Sequence, residues 1–407
     1  MKKLWDKRSS TVFAFGVFVS VAVYLLCGLF SGGRLLTAIF FRNTEDAFMD
    51  FFNSVRDAAQ GIEAYTVRKV IYPPMANLIF RVISFFTPEA YNGTIFDDRL
   101  TWSEYGVNVA WIIAFVAVCV LGLALLVFFS LKRRVGERAA FAAAAVLGVP
   151  FLNMLERGNI MVLAFLSLMI FWVTYDHKSA VVRELGILAL AFSFSIKLYP
   201  ILFAWVLIGD KRYREFFRCA LYSLVLLIVP SFAFGGPSCL LTILENILSF
   251  SSGSGGVIGV ISSYTKIPAS LISIGAYIWF VLCGLNFAFS VFFYRERADR
   301  WKIWALGCIA FLAFPSLTST YAWALFLIPL MALYNEEIPA RKARGYLIPI
   351  TIPFLLLPIP FHYAVTMNAV AVYVCLFAVS AYALFDTVRA VRLRKKEKKE
   401  EQVSDPS

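Results

Sequence analysis

The chain has 407 residues, of which 60% are hydrophobic, 16% aromatic and only 16% charged, with a formal net charge of +12. A soluble globular domain is nearer half apolar and a quarter charged, and that class is excluded here. The positive charge does not describe a nucleic-acid groove either. The Lys and Arg residues gather in the loops on one side of the apolar runs, as the positive-inside rule expects of a polytopic helical membrane protein.

The basic start, Met1 to Arg8, is followed by the apolar run Thr11–Phe30. That run is longer than a signal-peptide core and lacks a small-x-small cleavage site, so it reads as an uncleaved first span with a cytoplasmic N-terminus. A mostly polar insert follows, from Ser31 to Glu104, carrying Glu45, Asp46, Asp50 and Asp57. Within it Phe48, Phe51, Phe52 and Val55 recur at i, i+3, i+4 and i+7, one apolar stripe, which predicts a helix lying flat on the membrane. Tyr72-Pro73-Pro74 then opens Met75–Phe86, too short to span and read as a second interfacial helix.

Further apolar segments are predicted at Tyr105–Leu131, Ala139–Leu155, Asn159–Tyr175, Leu185–Ile196, Leu198–Ile208, Cys219–Phe234, Ile267–Tyr294, Ile303–Phe314, Tyr321–Tyr334, Tyr346–Ile359 and Met367–Phe385. Several fall short of the ~20 residues needed to cross alone. The expectation is an all-α protein of about twelve transmembrane or broken-helix segments, both termini cytoplasmic. Proline at 200 predicts a break near Tyr199, tolerated at membrane depth only against protein or a cavity. The exterior stretch 235–266 holds a short helix, Leu240–Phe250, and the Gly/Ser run 251–256, a candidate mobile lid. Residues 1–388 read as one integral-membrane domain and 389–407 as a charged cytoplasmic tail, expected to be disordered. The seven cysteines contain no CxxC pair, which gives neither a disulfide framework nor a metal knuckle.

Asp46 and Asp50 stand four apart, one helical turn. Either could be a general base that deprotonates an acceptor hydroxyl; the same pattern also describes an ordinary solvated face paired with Arg42 and Arg56. Lys197 lies among apolar residues beside the proline break, and an unpaired lysine there is costly. A phosphate would suit it, with the Tyr199 hydroxyl as a second donor; the alternative is a lysine that snorkels to the headgroups. Glu156-Arg157-Gly158-Asn159 is a polar turn between two spans. Arg157 could clamp an anion and Asn159 could cap the following helix, or the turn could be a plain ion-paired cap. Lys266, just before a span, could bind phosphate or anchor the interface. No HExxH, P-loop or nucleophile elbow is present, and His177 and His362 give no metal-ligand pattern.

The order of these motifs carries a resemblance: the acidic aromatic helix, Gly61…Tyr65, Tyr72-Pro73-Pro74, the Gly-Asn turn, Ser195-Ile-Lys197-Leu-Tyr-Pro200 before a basic loop, and Pro315-Ser316 with Tyr321…Leu327-Ile-Pro329-Leu. From about Asp46 to Leu330 the chain resembles the family 87 glycosyltransferases, integral-membrane enzymes of the GT-C fold that include polyprenyl-phosphate-mannose-dependent α-mannosyltransferases. The resemblance implies a hexosyltransferase of the cell membrane whose donor sugar, mannose first, rides on a polyprenyl phosphate. Transfer would occur on the exterior face to a glycolipid or polysaccharide hydroxyl, usually without a metal and with no cofactor. It implies an aspartate of the first exterior loop as base, Asp50 before Asp46, and Lys197 and Arg157 near the donor phosphate, to which the residue reading adds Tyr199 and Lys266. Tyr72, Asn159 and Tyr321 would line the substrate pocket. Two positions depart from the family pattern: Arg157-Gly158-Asn159 stands where many members have Gly-Gln, and Tyr321 where histidines are frequent. Two rivals are a transporter or flippase of lipid-linked sugars, and an oligosaccharide polymerase or ligase. The first should show inverted repeats, which the sequence lacks, and the second a large functional loop later in the chain.

Overall fold

The structure, a computed structural model, describes residues 9–40, 47–87, 102–251, 261, 265–294, 299–314, 319–362 and 365–404. Its helices are α1 (Ser9–Phe30), α2 (Met49–Ala59), α3 (Glu63–Thr66), α4 (Pro74–Ser84), α5 (Trp102–Ser130), α6 (Val135–Leu147), α7 (Val149–Arg157), α8 (Met161–Thr174) and α9 (Ala180–Ile196). They continue as α10 (Trp205–Gly209), α11 (Tyr213–Ser231), α12 (Cys239–Ser251), α13 (Ala269–Phe293), α14 (Arg300–Leu312), α15 (Leu327–Asn335), α16 (Ala340–Thr351) and α17 (Met367–Ser404). The described strands, Pro360–His362 and Val365–Thr366, make one short antiparallel ribbon, β1–β2. The protein is all-α and polytopic, as its sequence predicts.

Among the described residues five helices are long and apolar enough to cross a membrane, at Thr11–Phe30, Gly106–Ser130, Tyr213–Phe234, Ala269–Phe293 and Met367–Glu397. Their outer faces stay apolar and open: Phe15, Phe129 and Phe217 are all exposed, a surface that suits lipid rather than water. The segment predicted as one span at Ala139–Leu155 is two helices, α6 and α7, bent by 50°. The bend falls at Gly148, and Pro150 in the first turn of α7 has no N–H to continue the ladder from α6. The C-terminal segment does not stop at Phe385. α17 runs on through the basic stretch to Ser404, so the tail expected to be disordered is helical that far.

The break after α9 comes two residues earlier than predicted, at Lys197, whose backbone is extended (φ −141°, ψ 124°). An α-helical bond to the Ile196 carbonyl would need the N–H of residue 200, and Pro200 has none. The chain resumes as a 3-10 turn, Tyr199–Ala204, followed by α10.

The insert after α1 packs differently from the prediction. The stripe of α2 is not turned outward to lie on a membrane: Phe48, Phe51, Phe52 and Val55 are all buried within the protein. Phe51 meets Phe52, Phe80 and Phe115 edge-on at 5.1, 5.8 and 5.5 Å, and the cluster closes on Ile160 of the turn before α8 and on Ile196 of α9. The partners that an isolated amphipathic helix would seek in lipid are supplied by α4, α5, α8 and α9. The next layer is also tied by polar bonds: Asn77 Nδ2 donates to the Tyr65 hydroxyl at 2.8 Å, and Asn246 Nδ2 of α12 donates to the Tyr65 carbonyl at 3.0 Å.

Helices α8 and α9 pack as a pair with opposite directions. At 1.5 Å per residue α8 separates its ends by roughly 20 Å. At one end Tyr175, Asp210, Arg300, Arg212, Glu215 and Arg183 form an ion-pair network; at the other lie the 157–159 turn and Lys197. Phe51→Ala should cost roughly 3–5 kcal/mol, the usual loss for a buried phenylalanine, and appear as a clearly lower melting temperature of the detergent-purified protein.

Candidate functional site

Asp50 sits in the first turn of α2, where the helix dipole favours a carboxylate. The helix begins abruptly: Phe48 has a left-handed backbone (φ 58°), and its N–H donates to the Glu156 carbonyl at 2.7 Å. This one backbone bond ties the insert to the last turn of α7.

The end of α7 completes the arrangement. Gly158 adopts φ +62° and closes the helix, its N–H on the Leu155 carbonyl and the Asn159 N–H on that of Met154, both at 3.0 Å. The turn throws Arg157 and Asn159 toward Asp50. Arg157 Nε donates to Asp50 Oδ2 at 2.9 Å and Nη2 to Oδ1 at 2.7 Å, a bidentate pair. Asn159 Nδ2 adds a third bond, to Oδ2 at 2.7 Å, while its own Oδ1 accepts the Met161 N–H at 2.9 Å and caps α8. A carboxylate has about four lone-pair positions. Among the described residues three are used, both on Oδ2 and one on Oδ1, so Oδ1 is the atom with capacity left.

Three tyrosines from distant parts of the chain gather here. Tyr72 comes from the insert, Tyr199 from the broken segment and Tyr321 from the 3-10 turn Thr320–Phe326; Tyr72 and Tyr321 are close enough to Asp50 for its charge to be felt, and Tyr199 is close to both of those tyrosines. Burial, with a further push from Asp50, raises the Tyr72 phenol above its ordinary range, so it remains a neutral donor. Lys197 Nζ stands 4.1 Å over the Tyr72 ring, a cation–π contact. Among the described residues this ammonium has no ion pair or hydrogen bond, although Asp50 is within electrostatic reach. The Tyr199 ring stacks on Phe311 at 3.8 Å, and its buried hydroxyl finds no hydrogen-bond partner among the described residues. A lone cation and an orphan hydroxyl beside a partly open carboxylate suit an anionic, oxygen-rich ligand.

Seven of the nine residues singled out in the sequence thus come together: Asp50, Arg157, Asn159, Tyr72, Lys197, Tyr199 and Tyr321. The other two are not part of that arrangement as described. Asp46 lies outside the described residues, and Lys266 is an exposed side chain before α13 with no bond to the cluster. Arg157, expected near the phosphate, has its Nε and Nη2 engaged with Asp50. Sequence reasoning missed Phe311, because an aromatic on an apolar helix carries no mark of a stacking partner. It also missed the Phe48–Glu156 backbone bond, which no residue pattern reveals. A cavity of about 710 Å³ lies at the other end of α8, among Lys132, Tyr175, Asp176, Arg300 and Asn335, away from this cluster.

The family model described as glycosyltransferase family 87 matches residues 70–315, well over half of the chain and a stretch that takes in Tyr72, the 157–159 turn and Lys197. No curated protein and no solved structure matches the chain.

A methyl group on Gly158 would meet Phe51 Cβ at 2.7 Å and Phe48 Cδ1 at 2.8 Å, on top of a left-handed backbone. Gly158→Ala should therefore cost about 1–2 kcal/mol in conformation and a similar amount in overpacking. The expected result is a lowered melting temperature together with lost activity, since both donors to Asp50 flank this residue.

Proposed function

The chain belongs to glycosyltransferase family 87, and from that membership and the geometry we infer that it transfers a hexose, mannose first, from a polyprenyl-phosphate carrier to a glycolipid or polysaccharide hydroxyl on the exterior face. Asp50 is the general base. Its Oδ1 takes the proton of the acceptor hydroxyl as that oxygen bonds to C1 of the sugar. The bond from C1 to the phosphate oxygen breaks, its electron pair leaves with the polyprenyl phosphate, and the added negative charge is met by the Lys197 ammonium and the Tyr199 hydroxyl.

The observation that carries this reading is the juxtaposition, among the described residues, of a carboxylate with one lone pair unused and a cation without an ion pair. A base needs to be oriented, and the Arg157 fork with Asn159 does that. A leaving phosphate needs a positive charge not already consumed, and Lys197 is that charge. Arg157 accordingly acts as a positioning residue for the base, and the phosphate role falls on Lys197. Tyr72 carries the lysine on its ring face and, with Tyr321, walls the sugar.

Asp50→Asn should lower kcat by about 10²–10⁴-fold, the usual worth of a general base, with the donor KM little changed, in membranes supplied with a defined polyprenyl-phosphate mannose. Lys197→Met should act chiefly on the donor, raising its KM by roughly 10- to 100-fold, the worth of one charge-assisted bond. Full activity of Asp50→Asn would sink the base assignment. An unchanged donor KM in Lys197→Met would remove the lysine from the phosphate site.

A further inference from the structure

At a place remote from the carboxylate, α13 and α17 pack side by side and leave a groove of about 480 Å³ between them. Leu282, Leu285 and Phe289 of α13 and Leu384, Val388 and Val391 of α17 wall it. Both helices belong to the long apolar set, and Leu282, Leu285 and Phe289 are exposed on the outer surface of the bundle, where lipid would lie.

A crevice that only accommodated lipid tails would be apolar throughout. This one is not. Asn286 of α13 opens into it, is only 8% exposed, and has no hydrogen-bond partner among the described residues. An amide left unpaired in hydrocarbon surroundings is costly, and such groups in spanning helices mark ligand contacts. At one end the groove is bounded by Arg392 and Lys395, which form no ion pair among the described residues. The neighbouring Arg394 is engaged instead, donating to the Phe293 carbonyl at 3.0 Å.

We propose that this groove binds one anionic glycerophospholipid, with its phosphate headgroup on Arg392 and Lys395, a glycerol-ester carbonyl accepting from Asn286, and an acyl chain along the Leu282–Leu384 wall. The order of the chemistry selects the lipid class. Two free cations at one end require a net negative headgroup, which a zwitterionic lipid does not supply. One buried amide deeper in the groove calls for a hydrogen-bonding group beneath the phosphate. A polyprenyl phosphate has the charge but only hydrocarbon below it, and would leave Asn286 unpaired. The site is therefore separate from the donor site and does not depend on the glycosyl-transfer reading.

The test is native mass spectrometry of the detergent-purified, delipidated full chain titrated with phosphatidylglycerol, phosphatidylcholine or polyprenyl phosphate, with melting temperature as a second readout. Expected is one phosphatidylglycerol retained per chain with a raised melting temperature. Arg392→Gln/Lys395→Gln should weaken that binding by roughly 30-fold, and Asn286→Leu should weaken it while keeping the preference for an anionic headgroup. Equal retention of phosphatidylcholine overturns the proposal. So does binding of polyprenyl phosphate as tight as that of phosphatidylglycerol, or phosphatidylglycerol binding indifferent to all three substitutions. A dimeric mass that disappears in Asn286→Leu would assign the amide to a second copy of the chain and overturn it as well.

Discussion

The bidentate pairing of Arg157 with Asp50, locked by Asn159, is the contact on which the rest of the site depends. It joins two parts of the chain more than a hundred residues apart: the first turn of α2, which belongs to the insert, and the turn between α7 and α8, which belongs to the helical body. The carboxylate is 19% exposed and the guanidinium 32%, so the pair is partly withdrawn from water yet open to a ligand. Three fixed donors define the direction of the remaining Oδ1 lone pair, and a base is useful only when its lone pair points at the proton it takes.

Apolar packing makes that contact reproducible. Burying a phenylalanine contributes roughly 1.5–3 kcal/mol, and the stripe of α2 buries three of them against α4, α5, α8 and α9. Gly158 allows the close approach, since Phe48 and Phe51 fill the space that a side chain there would need. The polar atoms then have little freedom: the Phe48 N–H meets the Glu156 carbonyl, the Asn159 side chain caps α8, and the carboxylate meets its three donors. Hydrophobic burial brings the elements together and hydrogen bonds select one arrangement among those that burial would permit.

Charge is distributed along the bundle in two unlike ways. Around Tyr175 the charges satisfy one another, with Arg300 and Arg212 facing the ring and pairing with Asp210, Asp176 and Glu215. At the opposite end of α8, among the described residues, Lys197 makes no ion pair and rests on an aromatic face, with Asp50 only within electrostatic reach. A self-satisfied network holds helices together; an unbalanced one is suited to a ligand that brings its own charge.

Much of this was legible in the residues themselves. Composition and the length of the apolar runs determined an all-α membrane protein, because the bilayer imposes a length and an exclusion of charge that any spanning segment must show. The proline at 200 determined that a helix must end nearby, and the structure moved that end from the expected Tyr199 back to Ile196. The types of the site residues were also readable, since carboxylates, a lysine and tyrosines are conspicuous in an apolar chain. What tertiary structure alone decided was who meets whom. Periodicity shows that α2 has an apolar stripe but not whether lipid or protein covers it, because both are apolar; the structure gives protein. Spacing shows that Arg157 can grip an anion but not that the anion is Asp50, a hundred residues earlier. Nor can a linear pattern reveal that Lys197 keeps its charge unpaired, because a charge is paired or free only through what the fold brings beside it.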